Sequence, residues 1–114
     1  MTPAVFNFKA QYKGNTFNGT QLTFTNQSDG TPLDLTGAIL LMEIKKSFSS
    51  LPTKTFTTTG GLTIISAVEG VVQIDKFLVT ESPFKYLYDL QITFPNGDVN
   101  TYLTGTFEVK QNLI

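Results

Sequence analysis

Apolar and polar residues alternate with a period of two along most of the chain, as they do in strands that bury one face. The alternation is clearest in residues 6–10 (FNFKA) and 21–25 (QLTFT). Threonine and aromatic side chains are frequent, and both fit a pleated sheet better than a helix. The pattern predicts strands at about 4–12, 17–26, 35–46, 53–59, 62–66, 71–76, 85–94 and 99–110.

Short strands separated by turn-forming residues are typical of a single all-β domain. The chain has 114 residues, which is the usual length of one domain. We therefore expect one antiparallel β-sandwich over residues 1–114, immunoglobulin-like or jelly-roll-like, with about eight strands. Residues 77–84 lack the alternation, and residues 80–82 are expected to form at most one short helical turn before Pro83.

The last two strands predict a hairpin, because Asn96 and Gly97 favour a two-residue loop in which both residues have positive φ. This loop would pair Leu90 with Leu103 and Tyr88 with Gly105. Gly105 would then give the Tyr88 ring room to lie across the bare backbone, and a β-bulge at Gly105 is the alternative. The other expected pairs are Phe94 with Val99, Thr93 with Asn100, Ile92 with Thr101, Gln91 with Tyr102, Asp89 with Thr104, Tyr86 with Phe107 and Lys85 with Glu108.

Residues 29–45 contain a shaped corner (DGTPLDLTGA) followed by a strand. Gly30 permits a turn, and Pro32 keeps the residue before it extended. The Asp34 carboxylate is expected to accept hydrogen bonds from backbone amides near Thr36 and Gly37. A cation site at this corner is the weaker alternative, because it would need a calcium-loop spacing or a second carboxylate close by.

This corner resembles part of the N-terminal β-sandwich domain of tailed-bacteriophage baseplate upper proteins and related phage tail proteins. Further similar pieces are residues 12–17 (YKGNTF), 70–74 (GVVQI), 86–92 (YLYDLQI) and 103–105 (LTG). The resemblance implies a virion protein that is assembled in the bacterial cytoplasm and docks onto other virion proteins. It also implies self-association, with a trimer as the suggested state.

Members of that family often continue into a linker and a receptor-binding or fibre module, whereas this chain stops at Ile114. We therefore expect either the attachment domain alone or a stand-alone virion protein. A head decoration or fibre-anchoring protein is a variant of this hypothesis that changes only the partner.

The composition excludes several kinds of chemistry. The sequence has no cysteine, histidine or arginine, so it provides no catalytic triad, no thiolate or imidazole metal site and no arginine finger. We expect no enzymatic activity, no cofactor and no metal. The net charge is −1 and the lysines are scattered, which disfavours nucleic acid as a partner. The longest strongly apolar run, residues 38–42 (AILLM), is far shorter than the roughly 20 residues of a membrane span, and no signal peptide is visible at the N-terminus.

The third predicted strand is apolar on both faces. Leu40, Met42 and Ile44 point to one face, and Ile39 and Leu41 point to the other. Each strand of a two-layer sandwich has one face toward solvent, so an apolar outer face implies a cover.

Two covers for Ile39 and Leu41 are considered. Phe48 and Leu51 in the following loop would fold back over them, or another subunit would cover them. Aromatic residues that are expected on the surface suggest a rival function, because β-sandwiches commonly bind sugars on exposed rings. Tyr12, Tyr102 and Phe48 are the candidates for such a carbohydrate-binding module, although tryptophan is absent.

Overall fold

A computed structural model describes residues 3–113, and within this range the regular structure consists of strands without any helix. The strands are β1 Ala4–Val5, β2 Gln11–Tyr12, β3 Thr16–Phe17, β4 Thr20–Thr23, β5 Ile39–Lys45, β6 Lys54–Thr57, β7 Leu62–Ser66, β8 Val71–Ile74, β9 Phe77–Leu78, β10 Phe84–Thr93 and β11 Val99–Lys110. The prediction of an all-β, sandwich-like fold is confirmed.

The larger sheet contains six strands in the order β1-β11-β10-β5-β6, with β2 also paired to β11. Strands β11, β10, β5 and β6 pair antiparallel with one another in this order, whereas β1 and β2 run parallel to β11. Both β1 and β2 lie in the segment predicted as one strand at 4–12, which the structure divides into two short pieces along the edge.

The smaller layer is formed by the pair β3-β9 and the three-stranded sheet β4-β8-β7. Phe17 pairs with Phe77 and Thr20 pairs with Ile74, so one register continues across both sheets. Gly19 lies between β3 and β4 in the sequence and approaches the opposite strand closely, since a Cβ at this position would lie 2.7 Å from the Ile74 carbonyl oxygen.

The core lies between the two layers and consists of inward-facing apolar side chains from both. The predicted inner face of β5 is confirmed, because Leu40, Met42 and Ile44 are at most 1% exposed. Aromatic rings pack between the layers: the ring centroids of Phe17 and Phe77 in the smaller layer lie 5.8 and 6.1 Å from the ring centroid of Phe107 in β11. Rings at these separations attract one another in addition to the area that they bury.

The hairpin of β10 and β11 keeps the predicted register in its inner part. Leu90 pairs with Leu103 and Tyr88 with Gly105, as expected. The predicted pairs Asp89 with Thr104, Tyr86 with Phe107 and Lys85 with Glu108 are also present.

The predicted two-residue turn is wrong. Gly97 has φ +94°, but Asn96 does not have a positive φ. The Gly97 amide donates to the Phe94 carbonyl at 2.9 Å, and the Phe94 amide donates to the Asp98 carbonyl at 2.8 Å. A two-residue loop would have required a donated hydrogen bond from the residue before Asn96, and Pro95 has no N–H. Proline instead takes the second position of a longer turn that ends in a glycine at positive φ.

The longer turn shifts the outer part of the hairpin by one residue, and a β-bulge at Tyr102 absorbs the shift. The predicted outer pairs are therefore wrong, and the observed ones are Gln91 with Thr101, Ile92 with Asn100 and Thr93 with Val99. A bulge re-aims the side chain of the extra residue. The Tyr102 ring consequently packs on Phe24 and Phe94, with centroids 6.0 and 6.1 Å away.

Gly105 lies where the N-terminal segment crosses β11. A Cβ at Gly105 would overlap the carbonyl oxygen of Phe6, so the glycine makes room for the Phe6 backbone. The register continues unbroken at this position, so the alternative of a bulge at Gly105 is wrong. The Tyr88 hydroxyl donates to the same Phe6 oxygen at 2.5 Å, and the Phe6 amide donates to Thr104 O at 2.9 Å.

The corner at residues 29–37 is held by side-chain hydrogen bonds. Both the amide and the hydroxyl of Thr36 donate to one oxygen of Asp34, at 2.9 and 2.6 Å. These bonds lower the pKa of Asp34, with the Thr36 hydroxyl as the larger cause. Gly30 and Gly37 both have positive φ, and Pro32 forms an isolated bridge with Thr25. The hydrogen bonds predicted for Asp34 are confirmed for Thr36, and Gly30 is at a turn as predicted, whereas residues 3–113 contain no hydrogen bond from the Gly37 amide to Asp34.

Replacing Asp34 with alanine is expected to lower the melting temperature at neutral pH, because two hydrogen bonds to Thr36 are lost. The lowered pKa means that the carboxylate stabilises the fold above about pH 4 and that this contribution is lost as the pH falls through the folded-state pKa. The two proteins should therefore converge in melting temperature in strong acid. Asp34→Asn is the control, since its side-chain oxygen still accepts, and equal melting of wild type and Asp34→Ala at pH 7 contradicts the capping role.

The segment at 77–84 differs from its prediction. Residues 80–82 are irregular, with a bend at Glu81 rather than a helical turn, and Phe77–Leu78 is strand β9. The reason is tertiary pairing: Phe77 pairs with Phe17, and the Tyr86 hydroxyl donates to the Ser82 carbonyl at 2.6 Å. The segment is thereby held at both ends.

Candidate interaction surface

The outer face of the large sheet contains most of the predicted site residues. On β5 the outward positions alternate with the buried ones, and each pairs with an outward residue of β10. The pairs, from one end of the strand to the other, are Ile39 with Thr93, Leu41 with Gln91, Glu43 with Asp89 and Lys45 with Leu87. This face therefore has an apolar end near Ile39 and a charged end near Lys45.

The apolar end is open to solvent. Ile39 is 61% exposed and Leu41 is partly buried. Val99 is 50% exposed and pairs with Thr93, which also pairs with Ile39, so the three residues form one row across the sheet. None of the described residues covers this row.

The loop residues Phe48 and Leu51 are the most exposed of the predicted set, at 81% and 88%. The prediction that they fold back over Ile39 and Leu41 is wrong. The loop leaves β5 after Lys45, and a strand rises about 3.3 Å per residue, so the loop starts roughly 20 Å from Ile39.

A tight turn at 47–50 explains how Phe48 is presented. The Ser50 amide donates to the Ser47 carbonyl at 3.2 Å, and the two serine hydroxyls lie 2.6 Å apart. Phe48 occupies the second position of this turn, and its ring remains exposed.

A hollow of about 100 Å³ lies beside this ring at the charged end of the face. Its lining residues are Glu43, Lys45, Ser47, Phe48, Leu87, Tyr88 and Asp89. Lys45 Nζ lies 3.7 Å from Glu43 Oε1. The Asp89 side chain is exposed, and among residues 3–113 it makes no hydrogen bond or ion pair.

The carboxylates of Glu43 and Asp89 face each other across neighbouring strands. Like charges at directly opposite positions destabilise a sheet. On the inner side of β10, burial and then the charge of Asp89 raise the pKa of the Tyr88 hydroxyl. Sequence periodicity places both carboxylates on an outer face, but it does not reveal that β5 and β10 are neighbours.

The three aromatic residues proposed for sugar binding do not form one platform. Tyr12 lies on β2, three strand positions away from β5 in the sheet order, which is about 14 Å. Tyr102 is partly buried against the core. Phe48 alone combines high exposure with a neighbouring hollow.

A second hollow lies on the smaller layer and was not anticipated from the sequence. It is lined by Asn18, Gly19, Thr20, Gln21, Gln73, Asp75 and Lys76. The Asp75 carboxylate already accepts hydrogen bonds from Thr63 at 2.9 Å and from Gln73 at 3.1 Å. Gly19, which approaches the opposite strand closely, is one of the lining residues, and the turn-forming Asn18-Gly19 pair is the sequence signal at this place.

Metal-ligating chemistry is sparse on the described surface. Residues 3–113 contain no group of three or more histidine, cysteine, aspartate or glutamate side chains with the proximity that a metal ion requires. In the same range there is no helix of sufficient length and hydrophobicity to span a bilayer.

Comparison with known proteins adds no relative. The sequence matches no family model. No curated protein is significantly similar to it. The functional interpretation therefore depends on the geometry of the described surface and on the residues that resemble phage tail domains.

Proposed function

We propose that this chain is a non-enzymatic docking module of a bacteriophage virion, in the tail or baseplate, that associates with further copies of itself. The observation that carries the proposal is the apolar end of the large sheet, where Ile39 and Val99 are exposed to solvent and Leu41 beside them is partly buried. Outward apolar residues on a strand whose inner face is already buried fit a protein interface.

The energetics favour these residues as contacts. Burying an aliphatic side chain of the size of isoleucine or leucine contributes roughly 1.5–3 kcal/mol. That contribution corresponds to about one to two decades of association constant for each residue. The corner of residues 29–37 supports the same end of the sheet, since a Cβ on Gly37 would lie 2.9 Å from the Pro95 ring. Ile39 is therefore held on a well-braced part of the fold.

The resemblance in residues 29–45 and 86–92 supports a virion as the setting. Head decoration and fibre anchoring remain variants of the same docking role, with a different partner protein. The charged hollow at the other end of the face begins at Glu43, two residues along β5 from Leu41, and none of its lining residues belongs to the Ile39 row.

The experiment is charge reversal at the apolar end. Ile39→Lys combined with Leu41→Glu is expected to reduce the molar mass seen by light scattering to that of one chain. The circular dichroism spectrum should retain its β-type form, because the side chains that fill the core from β5 are on the opposite face.

A matched control places the same two charges at the same spacing on the smaller layer. Gln21→Lys with Thr23→Glu alters two exposed residues of β4 and should leave the molar mass unchanged. A wild type that is monomeric at high concentration contradicts the proposed self-association. So does a control pair that dissociates the assembly as effectively as the pair on β5.

A further inference from the structure

The hollow beside Phe48 has a floor made of four outward side chains from two paired strands. Lys45 pairs with Leu87 in one row, and Glu43 pairs with Asp89 in the next. Directly opposite side chains have Cβ atoms about 5 Å apart, and neighbouring rows on one face are about 7 Å apart. The floor is thus a rigid, nearly rectangular block on regular strands, with the Phe48 ring at its side.

The Phe48 ring offers a flat apolar surface next to this block. Its exposure of 81% exceeds that of every other described phenylalanine or tyrosine named as exposed, namely Phe6, Tyr12 and Phe84. The serine-stabilised turn at 47–50 fixes the backbone that carries the ring, so little backbone entropy is lost when a ligand packs on it. The C–H faces of sugar rings pack on aromatic surfaces of this kind.

The polar groups around the ring provide both kinds of hydrogen-bonding partner. The Asp89 carboxylate has no partner among the described side chains, and Glu43 interacts only with Lys45 at 3.7 Å. Both can accept bonds from ligand hydroxyls, and Lys45 Nζ and the Ser47 hydroxyl can donate to hydroxyl oxygens. Hydrogen bonds to ionised groups are shorter and stronger than those between neutral groups.

The facing carboxylates decide between classes of ligand. Two hydroxyl donors inserted at Glu43 and Asp89 would offset the repulsion between the carboxylates, whereas an acidic ligand would increase it. A metal ion is disfavoured, because these two residues lack a third acidic partner within the described range. A second copy of the chain would bring an identical acidic pair to the site.

We infer that the hollow formed by Phe48, Glu43, Asp89, Lys45 and Ser47 is a binding site for a neutral saccharide. One sugar ring stacks on Phe48, and its neighbouring hydroxyls donate to the two carboxylates. A hollow of about 100 Å³ encloses only part of one sugar unit, so the affinity of a single unit is weak, with a dissociation constant on the order of 1 mM. This site is separate from the Ile39 end and does not depend on the proposed self-association.

The experiment has two steps. The wild-type chain is first applied to an array of immobilised oligosaccharides that includes neutral and acidic bacterial glycans, with the protein displayed multivalently so that weak contacts are detected. The glycans bound are then titrated into the protein in solution and followed by NMR. The expected result is binding of neutral glycans, with shifts of the Glu43, Phe48 and Asp89 backbone amides.

Four variants locate the site. Phe48→Ala and Asp89→Asn should each weaken binding at least tenfold, by loss of the stacking surface and of the charged acceptor. Leu51→Ala removes an equally exposed apolar side chain from the same loop, and Tyr12→Ala removes an exposed ring at the other edge of the sheet; both should bind as the wild type does.

The outcomes separate this inference from the docking proposal. Ile39→Lys with Leu41→Glu should bind the glycan normally even if the chain becomes monomeric. The saccharide site is refuted by the absence of binding to every neutral glycan, or by binding that survives both Phe48→Ala and Asp89→Asn. A fall in molar mass for both Phe48→Ala and Leu51→Ala without glycan binding would instead assign this loop to a protein contact and overturn the inference.

Discussion

Replacing Gly105 with alanine is expected to detach the N-terminal segment from the large sheet and to destabilise the protein by about 3 kcal/mol or more. The added Cβ would overlap the Phe6 carbonyl oxygen, and a backbone atom yields less easily than the end of a side chain. Moving Phe6 away also breaks its bonds with Thr104 and Tyr88. The measurement is the free energy of unfolding in urea, together with hydrogen exchange of the Phe6 and Phe8 amides.

Gly60→Ala is the matched control for this substitution. Gly60 has no positive φ, and a Cβ there would lie 3.8 Å from its nearest neighbour, Thr57 Oγ1. The change should alter the free energy of unfolding by less than about 1 kcal/mol. Equal effects of the two substitutions would mean that Gly105 does not serve the passage of the N-terminal segment.

The strands were predictable because local alternation and turn residues carry most of the information on them. The strands at 62–66 and 99–110 have the expected bounds, and the inner pairs of the hairpin follow from the need to keep Leu90 and Leu103 on one face. The prediction of a two-residue turn was wrong because it considered the favourable Asn96-Gly97 pair and not the absence of an N–H on Pro95. The bulge at Tyr102 then follows, since only one extra residue reconciles the longer turn with the buried face.

The alternation of apolar and polar residues could not predict the parallel edge of the sheet. Strands β1 and β2 pair with β11 from the opposite end of the chain, and parallel strands are never joined by a short turn that would mark the pair in the sequence. The requirement for glycine at position 105 depends on this long-range contact. The sequence indicated that the residue was special, but the Tyr88 ring suggested a different reason from the Phe6 backbone that the structure shows.

The interaction surface was predictable in part. Outward positions of Ile39 and Leu41 follow from alternation on β5, and their exposure agrees with an outer face. The direction of the loop at 46–53 depends on a serine turn that no periodicity describes, so the covering role given to Phe48 and Leu51 failed. The hollow needs the neighbourhood of β5 and β10, which is a property of the sheet order rather than of either strand alone.

Tyr88 connects the inner face of β10 with the N-terminal segment. Its ring is 2% exposed and lies 5.0 Å from the Phe8 ring, while its hydroxyl donates to the Phe6 carbonyl. The neighbouring Asp89 places a negative charge near the same hydroxyl. The burial, the hydrogen bond and the charge all favour the protonated form of the phenol, and this preference gives the fold a specific dependence on alkaline pH.

The free energy of unfolding is expected to fall above about pH 10, because the unfolded chain releases the Tyr88 proton there while the folded chain retains it. The contribution of Tyr88 is fully present below the unfolded-state pKa and is lost as the pH rises toward the raised folded-state pKa. The slope of the free energy of unfolding against pH is at most about 1.4 kcal/mol per pH unit for this one group, which makes the loss large within two pH units.

Tyr88→Phe should be less stable at pH 7, since the Phe6 carbonyl loses its donor, but its stability should depend less steeply on pH between 10 and 12. Tyr12→Phe, which changes an exposed tyrosine on β2, is the matched control and should keep the slope of the wild type. Urea unfolding at a series of pH values measures these slopes, and identical alkaline slopes for wild type and Tyr88→Phe would show that the buried hydroxyl of Tyr88 does not control the alkaline limit of the fold.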